Sequence, residues 1–300
     1  MNSIVSYPDR GTGGKNNYRG NCSPRLIEDL IQQFHMTSLS DFMVGSGTTR
    51  DVCERLGLAG MYCDLNTGYD MMAMDIPERP QNIFWHPPYH NMIVYSGEQY
   101  DDQAILQHYG FDPKASDLSR CKDWDDFVKR MNYCCLKQYT ALEKGGRMFI
   151  LMGDMKRKGK LYSMLCDIVK PGTLEQIVIK AQHNCVSDSR VYTGSFIRIV
   201  HEYLMILRKE EGVFFHISLP QKRLFDIRDS QNATWRDVVA AILENLGGTA
   251  PLSEIYKALE GHKKIQNYPT WKDKVRQTLQ YGACFSSSQR GVWSYQKAAA

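Results

Sequence analysis

The chain has 300 residues, 43% of them hydrophobic, with 37 Lys and Arg against 33 Asp and Glu for a net charge of +4, which suits a soluble globule with one large α/β core and a small appendage. No stretch is long or apolar enough to span a bilayer, and the amino terminus carries nothing resembling a secretion signal. The nine cysteines are odd in number and scattered without a C-x-x-C pair, so they read as reduced thiols of a cytoplasmic protein rather than as bridges or zinc ligands.

In chain order, Ser40 to Val44 reads as a short buried strand. Gly45 and Gly47 then permit a tight turn where Cβ atoms would meet a ligand, and Thr48 opens a helix. Such a turn at the carboxyl edge of a sheet suits a nucleotide, although a lone G-x-G is equally an ordinary strand-to-helix connection. Leu58 to Cys63 reads as a second strand ending at Asp64, about twenty residues past the glycines, where a carboxylate can accept hydrogen bonds from ribose hydroxyls. Asn82 to Trp85 is a further apolar strand, and Pro87 and Pro88 end its pairing. His86-Pro87-Pro88-Tyr89 is therefore either a plain loop or a rigid turn presenting a polar side chain and an aromatic ring to a flat substrate.

The glycine turn followed by this Pro-Pro-Tyr segment resembles the DNA amino-methyltransferases, S-adenosylmethionine enzymes that methylate the exocyclic amino group of adenine or cytosine. Tyr18 to Pro24 with the helical pattern Leu26, Ile27, Leu30, Ile31, Phe34 resembles the family's extra cofactor segment. Leu142 to Leu151 resembles its central turn and strand, and Phe196 to Lys209 its last strands, so the likeness runs from residue 15 to residue 210. It implies a Rossmann-like α/β sheet with helices on both faces over residues 1–229 and S-adenosyl-L-methionine as cofactor, with no metal. Cofactor contacts are implied for Asn21, Ser23 and Pro24, for Asp41, Met43, Gly45, Ser46, Gly47, Thr48 and Thr49 along the glycine turn, and for Asp64 and Asp75. Thr48 and Thr49 either bond the cofactor carboxylate or cap the helix, and Asp75 either contacts the adenine amino group or lies in a solvated loop.

The departures from the family pattern are Asp41-Phe42-Met43 in place of Asp-Pro-Phe, and His86 in place of Asp, Asn or Ser. An exocyclic amino nitrogen is a poor nucleophile, and the family holds its hydrogens on the first motif residue and on the next backbone carbonyl. A neutral His86 has one acceptor nitrogen and the Pro87 carbonyl supplies another; alternatively His86 only shapes the pocket. The first alternative predicts activity that falls as pH drops through about 6.5. Tyr89 is expected to stack on a base flipped out of the duplex.

A boundary falls near residues 210 to 232, where Pro220 to Ala233 is polar and charged, a connector. Beyond it, Thr234 caps a helix bearing Val238, Val239, Ile242 and Leu243 that stops at Gly247-Gly248, Ser253 to Leu259 is a second helix, Thr270 starts a third, and Phe285 to Tyr295 reads as a hairpin. Three helices and a hairpin make a winged helix-turn-helix, and residues 230–297 resemble the helical-winged modules (HARE-HTH) of restriction and chromatin proteins. From Ser230 to Lys297 nine Lys and Arg face five Asp and Glu, and +9 with −5 gives +4, the whole net charge of the chain. Lys272, Lys274 and Arg276 on the third helix are the expected DNA contacts, unless the module docks protein instead.

Double-stranded DNA is the expected partner, adenine N6 is favoured over cytosine N4, and a cognate restriction endonuclease belongs to the same expectation, in a bacterial or phage-encoded setting. The loop from Tyr95 to Trp124 is expected to touch DNA or cover the site, and Asp188 to Tyr192 to lie near the cleft. Methylation of RNA or of a protein glutamine, and a non-catalytic DNA-binding regulator, are the competing classes.

Overall fold

The computed structural model describes residues 1–183, 191, 196–212, 215–220, 227, 233–266 and 268–296. By internal contacts the chain divides into two compact units, Met1–Pro220 and Gln221–Ala300. The Asp188 to Tyr192 segment lies outside the described residues except for Val191, as does most of the connector.

The first unit contains β1 (Ile4–Ser6), α1 (Pro24–Gln33), α2 (Thr48–Leu56), β2 (Asn82–Trp85), α3 (Asp102–Tyr109), α4 (Trp124–Ala141) and β3 (Arg147–Met152). It continues with β4 (Asp154–Arg157), β5 (Lys160–Ser163), α5 (Met164–Asp167), β6 (Lys170–Pro171), β7 (Thr173–Ala181), β8 (His201–Arg208) and β9 (Ile217–Ser218). The central sheet runs β1-β7-β8-β3-β2, with β8 antiparallel to both neighbours and the other pairings parallel. Parallel bridges Ser40↔Ile83, Asp41↔Tyr62 and Ser38↔Ala59 extend it past β2 by two short extended segments.

The period of two along each strand divides the core into two layers. Ile83, Trp85, Met148, Ile150, Met152, Met205 and Leu207 face one layer with Phe127, Met131, Cys134 and Cys135 of α4. Phe84, Phe149, Leu151, Leu204 and Ile206 face the other, with Leu26, Ile27, Leu30 and Ile31 of α1 and Val52 and Cys53 of α2. The expected α/β sheet with helices on both faces is therefore present. Parallel strands buried on both sides read as continuous apolar runs, which is what RMFILM is.

Two strand expectations are corrected. Ser40 to Val44 is not a regular strand: the ladder holds at Ser38, Ser40 and Asp41, and Phe42-Met43 turns away. The cause is local, because the Asp41 carboxylate accepts the Met43 N–H at 3.0 Å and pulls the backbone out of the extended state. Leu58 to Cys63 is likewise no regular strand, bridging only at Ala59 and Tyr62, and the chain turns after it. There Asp64 caps a short 3₁₀ turn, Leu65–Thr67, and Asp70 accepts the N–H groups of Met72 and Ala73, so carboxylates take up donors a strand would have paired.

The second unit contains α6 (Trp235–Asn245), β10 (Thr249–Pro251), α7 (Leu252–Leu259), α8 (Lys263–Gln266), α9 (Trp271–Tyr281), β11 (Phe285–Gln289) and β12 (Val292–Tyr295). Thr234 and Asp237 form a capping box at the start of α6, and the three strands form an antiparallel sheet β10-β12-β11. Its own core, built from Val238, Val239, Ile242, Leu243, Ile255, Leu259, Val275 and Leu279, is drawn wholly from this unit. Among the described residues no helix is long and apolar enough to cross a membrane.

Candidate active site

The glycine turn and the Pro-Pro-Tyr segment both leave the sheet at the carboxyl ends of parallel strands, where open α/β sheets present their crevices. Gly47, with φ 85°, is the N-cap of α2, and Gly45 has φ 51°. A Cβ on Gly45 would sit 3.3 Å from the Tyr18 ring, so glycine there serves both the left-handed turn and the close approach of the amino-terminal loop.

Under this turn lies a cavity. Asn21, Asp41, Met43, Gly45, Ser46, Thr48, Thr49 and Asp64 line it, together with His86 and Pro88. The two threonines are engaged differently: Thr49 donates to Asp41 Oδ2 at 2.7 Å, while Thr48 shares a hydrogen bond with Ser46 at 2.9 Å. Asp64 accepts the Gly45 N–H at 2.9 Å and the Asn66 N–H at 3.1 Å, which ties the second extended segment to the turn. Burial pushes the Asp41 carboxyl up to about 7 against its bonds from Thr49 and Met43, and burial also raises Asp64.

Four expected cofactor residues stand outside the lining, Gly47 of the turn among them. Ser23 donates to the Arg10 carbonyl at 2.9 Å, and Pro24 begins α1. Asp75 is exposed, with its carbonyl accepting from the Tyr69 hydroxyl at 3.2 Å; Asp70, five residues earlier, faces the cavity instead. The cavity also holds groups the sequence reading did not single out. Tyr18, Tyr95 and Tyr100 form an aromatic wall with ring centroids 6.0 Å apart in successive pairs, and Asp117 stands beside them. Part of the Tyr95 to Trp124 loop thus covers the site, as one of its two expected roles requires.

A second cavity is lined by His86, Pro87, Tyr89, Met92, Ile93, Tyr95 and Glu202, and shares Gly20, Asn21, His86 and Tyr95 with the first. His86 therefore stands where the two meet. Its Nε2 lies 3.0 Å from the Tyr89 hydroxyl, which donates to Glu202 Oε1 at 2.6 Å, and Lys180 Nζ donates to Glu202 Oε2 at 2.6 Å. Lys180 and Glu202 are direct cross-strand partners on β7 and β8. Burial opposes charge on Glu202, but Lys180, His86 and the Tyr89 hydroxyl outweigh it and hold the carboxylate below its ordinary range.

Burial lowers His86 from 6.5 to about 4, helped by Lys180 and opposed by Glu202, which corrects the expected inflection at the ordinary imidazole value. Tyr89, the ring expected to stack on a base, lines the second cavity with its hydroxyl tied to Glu202 and its ring against Gly153, where a Cβ would come within 2.6 Å of Cε2. The sequence did not single out the buried pair, since β7 and β8 also carry Glu175 and Arg208 and only the register brings Lys180 opposite Glu202.

In the second unit, Lys272 and Arg276 share one face of α9 across the Tyr256 ring, at 5.5 and 5.9 Å from its centroid, while Lys274 points elsewhere to Gln277. All three are exposed.

No protein-family model matches the chain, and no curated protein matches it. Among solved structures, a Thermus thermophilus protein solved with S-adenosyl-L-methionine and provisionally named a DNA modification methylase is 15% identical, with TM-score 0.29 over 64% of this chain and 61% of that one. A methyltransferase of Pyrococcus furiosus is 12% identical, with TM-score 0.29 over 65% of this chain and 88% of that one. An enzyme structure concerned with converting a disulfide bond into a thioacetal in echinomycin biosynthesis is 11% identical, with TM-score 0.33 over 68% of this chain and 85% of that one. The chain spans less than two thirds of the length of the T. thermophilus protein, 59% and 61% in its two structures.

Proposed function

We propose that this chain is an S-adenosyl-L-methionine-dependent methyltransferase acting on the exocyclic amino group of a flipped DNA base, adenine N6 in preference to cytosine N4. One observation carries the reading: His86, at the head of a Pro-Pro turn, stands between a carboxylate-lined cavity under a glycine turn and a second cavity walled by Tyr95, Met92 and Ile93. The first cavity fits the cofactor by its donor set. Asp41, Asp64, Asp70 and Asp117 offer acceptors for hydroxyls and an ammonium, and the tyrosine wall suits a sulfonium cation. When bound, the cofactor supplies an electrophilic methyl group.

The protein's own part is orientation. His86 and the Pro87 carbonyl accept the amino hydrogens, which aims the nitrogen across the junction of the two cavities, and His86 is there to take the proton the nitrogen sheds. The exposed Lys272, Lys274 and Arg276 of a winged helix-turn-helix supply phosphate contacts on double-stranded DNA, and a restriction endonuclease is the partner such an enzyme would protect against.

Methylome sequencing of a strain expressing the chain tests this directly and is expected to show one modified base in one sequence context. Transfer of labelled methyl to RNA or to a protein glutamine, and not to duplex DNA, would replace the substrate. Cofactor binding without transfer to any acceptor would leave a DNA-binding regulator.

A further inference from the structure

The line of polar groups running from His86 into the sheet decides which imidazole nitrogen carries a proton. Glu202 is 6% exposed, and ionised it can only accept. Lys180 Nζ donates to one of its oxygens, and the Tyr89 hydroxyl donates to the other at 2.6 Å. A phenol has one proton, so once that proton points at Glu202 the Tyr89 oxygen presents only lone pairs. His86 Nε2, at 3.0 Å, must then be the donor. A neutral ring has a single N–H, so Nδ1 is left as a bare acceptor. Nδ1 has no hydrogen-bond partner among the described residues, and the ring lines both cavities.

We infer that Glu202, anchored by Lys180 and acting through the Tyr89 phenol, fixes His86 as its Nε2–H tautomer, so that Nδ1 is the atom that accepts a substrate N–H. The assignment of Nδ1 to a substrate hydrogen rests on the methyltransferase reading; the tautomer itself does not. Glu202 and Lys180 are positioning residues in this scheme, since they reach the reacting atoms only through Tyr89 and His86. The scheme also explains how a histidine can stand in the motif. Unlike a carboxylate or an amide oxygen, an imidazole accepts on one nitrogen only, and an unconstrained ring would offer the wrong one part of the time.

The buried pair sets a pH dependence. The charged and titratable groups around His86 are Tyr89 on its own segment, Glu202 of β8, Lys180 of β7, and Tyr95, Cys22 and Asp41 from the cavity walls. If Glu202 gains a proton it becomes a donor toward Tyr89, the phenol turns its proton to Nε2, and the ring must move its hydrogen to Nδ1. Lys180 prevents this by keeping the carboxylate ionised.

The test uses the full chain with ring-¹⁵N histidine and long-range ¹H–¹⁵N spectra, with His86 assigned by the signal lost in His86→Gln. At pH 7 the wild type is expected to show a protonated Nε2 and an unprotonated Nδ1; an Nδ1–H pattern overturns the inference. In Glu202→Gln the Nδ1–H form should appear, and kcat for methyl transfer should fall on the order of 10²-fold with the cofactor KM little changed. An unaltered tautomer in that variant removes Glu202 from the scheme.

Lys180→Met covers the case in which Glu202→Gln fails to fold. It should bring in Nδ1–H as pH falls below neutral, which Lys180→Arg reverses; Lys180→Met spectra matching the wild type at every pH count against the scheme. The spectra need no turnover, so a confirmed tautomer in a protein that methylates nothing would discard the function and keep the relay. Turnover with the opposite tautomer would do the reverse.

Discussion

At the scale of single residues, the two groups with the largest functional consequence are those whose protonation the fold changes. His86 is held neutral down to about 4, so methyl transfer should stay level through pH 6.5 and decline only as pH drops through about 4. An inflection at 6.5 in kcat/KM would mean that the ring is solvated. Asp41 moves the other way. Unfolded, its carboxyl ionises near 3.8, whereas the folded chain keeps the proton to about 7. The folded state therefore binds more protons across that window, and stability falls as pH rises through it, by about 1.4 kcal/mol per unit for a fully buried group. Asp41→Asn removes this slope while keeping the shape. Its stability relative to the wild type should improve by about 3 kcal/mol between pH 5 and pH 8, read as urea midpoints by hydrogen exchange of the β3 amides; a gap independent of pH contradicts the assigned shift. The identities of His86 and Asp41 were legible from motif position. Their titration was not, because it depends on burial and, for His86, on Lys180 and Glu202, which lie far from it in sequence.

At the scale of elements, the site depends on where strands stop. β3 ends at Met152, and Gly153 follows directly beneath the Tyr89 ring, with no room for a methyl group. Gly153→Ala should push the ring aside, separate the phenol from Glu202 and lower activity at least about tenfold, while cofactor affinity holds because Gly153 does not line the cavity under the glycine turn. Isothermal titration with S-adenosylhomocysteine beside a turnover assay checks both halves, and equal losses in each would place the effect in general misfolding. Gly45→Ala should do the opposite. A left-handed φ costs a residue with a Cβ about 1 kcal/mol, and the added carbon presses on Tyr18, so cofactor affinity should drop first.

Elements whose pattern is local were readable from the chain: the apolar runs of β2 and β3, the Pro24 start and buried stripe of α1, the Thr234 cap of α6. Asp-capped turns defeated the reading at Phe42 and at Asp70, since there a side chain replaces backbone pairing that periodicity presupposes. Nor does periodicity report which strands become neighbours. The cross-strand meeting of Lys180 with Glu202, and the approach of both to the Pro-Pro turn, follow from sheet order.

At the scale of the whole molecule, the chain carries its net charge unevenly. The stretch from Ser230 to Lys297 accounts for +4, equal to the total for the chain, while the cavities that would hold cofactor and base belong to the first unit. The proposed function places catalysis and grip on a polyanion in separate units, each with its own core among the described residues. A chain ending at Pro220 should fold, bind cofactor with wild-type affinity, and lose most of its affinity for duplex DNA. In the full chain the logarithm of the binding constant should fall linearly with the logarithm of salt concentration, because each phosphate neutralised releases condensed counterions at about 0.9 per contact. Lys272→Ala, Lys274→Ala and Arg276→Ala, each removing one exposed cation of α9, should each reduce that slope by about one. Fluorescence anisotropy over a salt series reads all three. Slopes equal to wild type in every variant, with the Pro220 truncation still binding DNA, would transfer DNA binding to the first unit and leave the basic face of α9 to a protein partner.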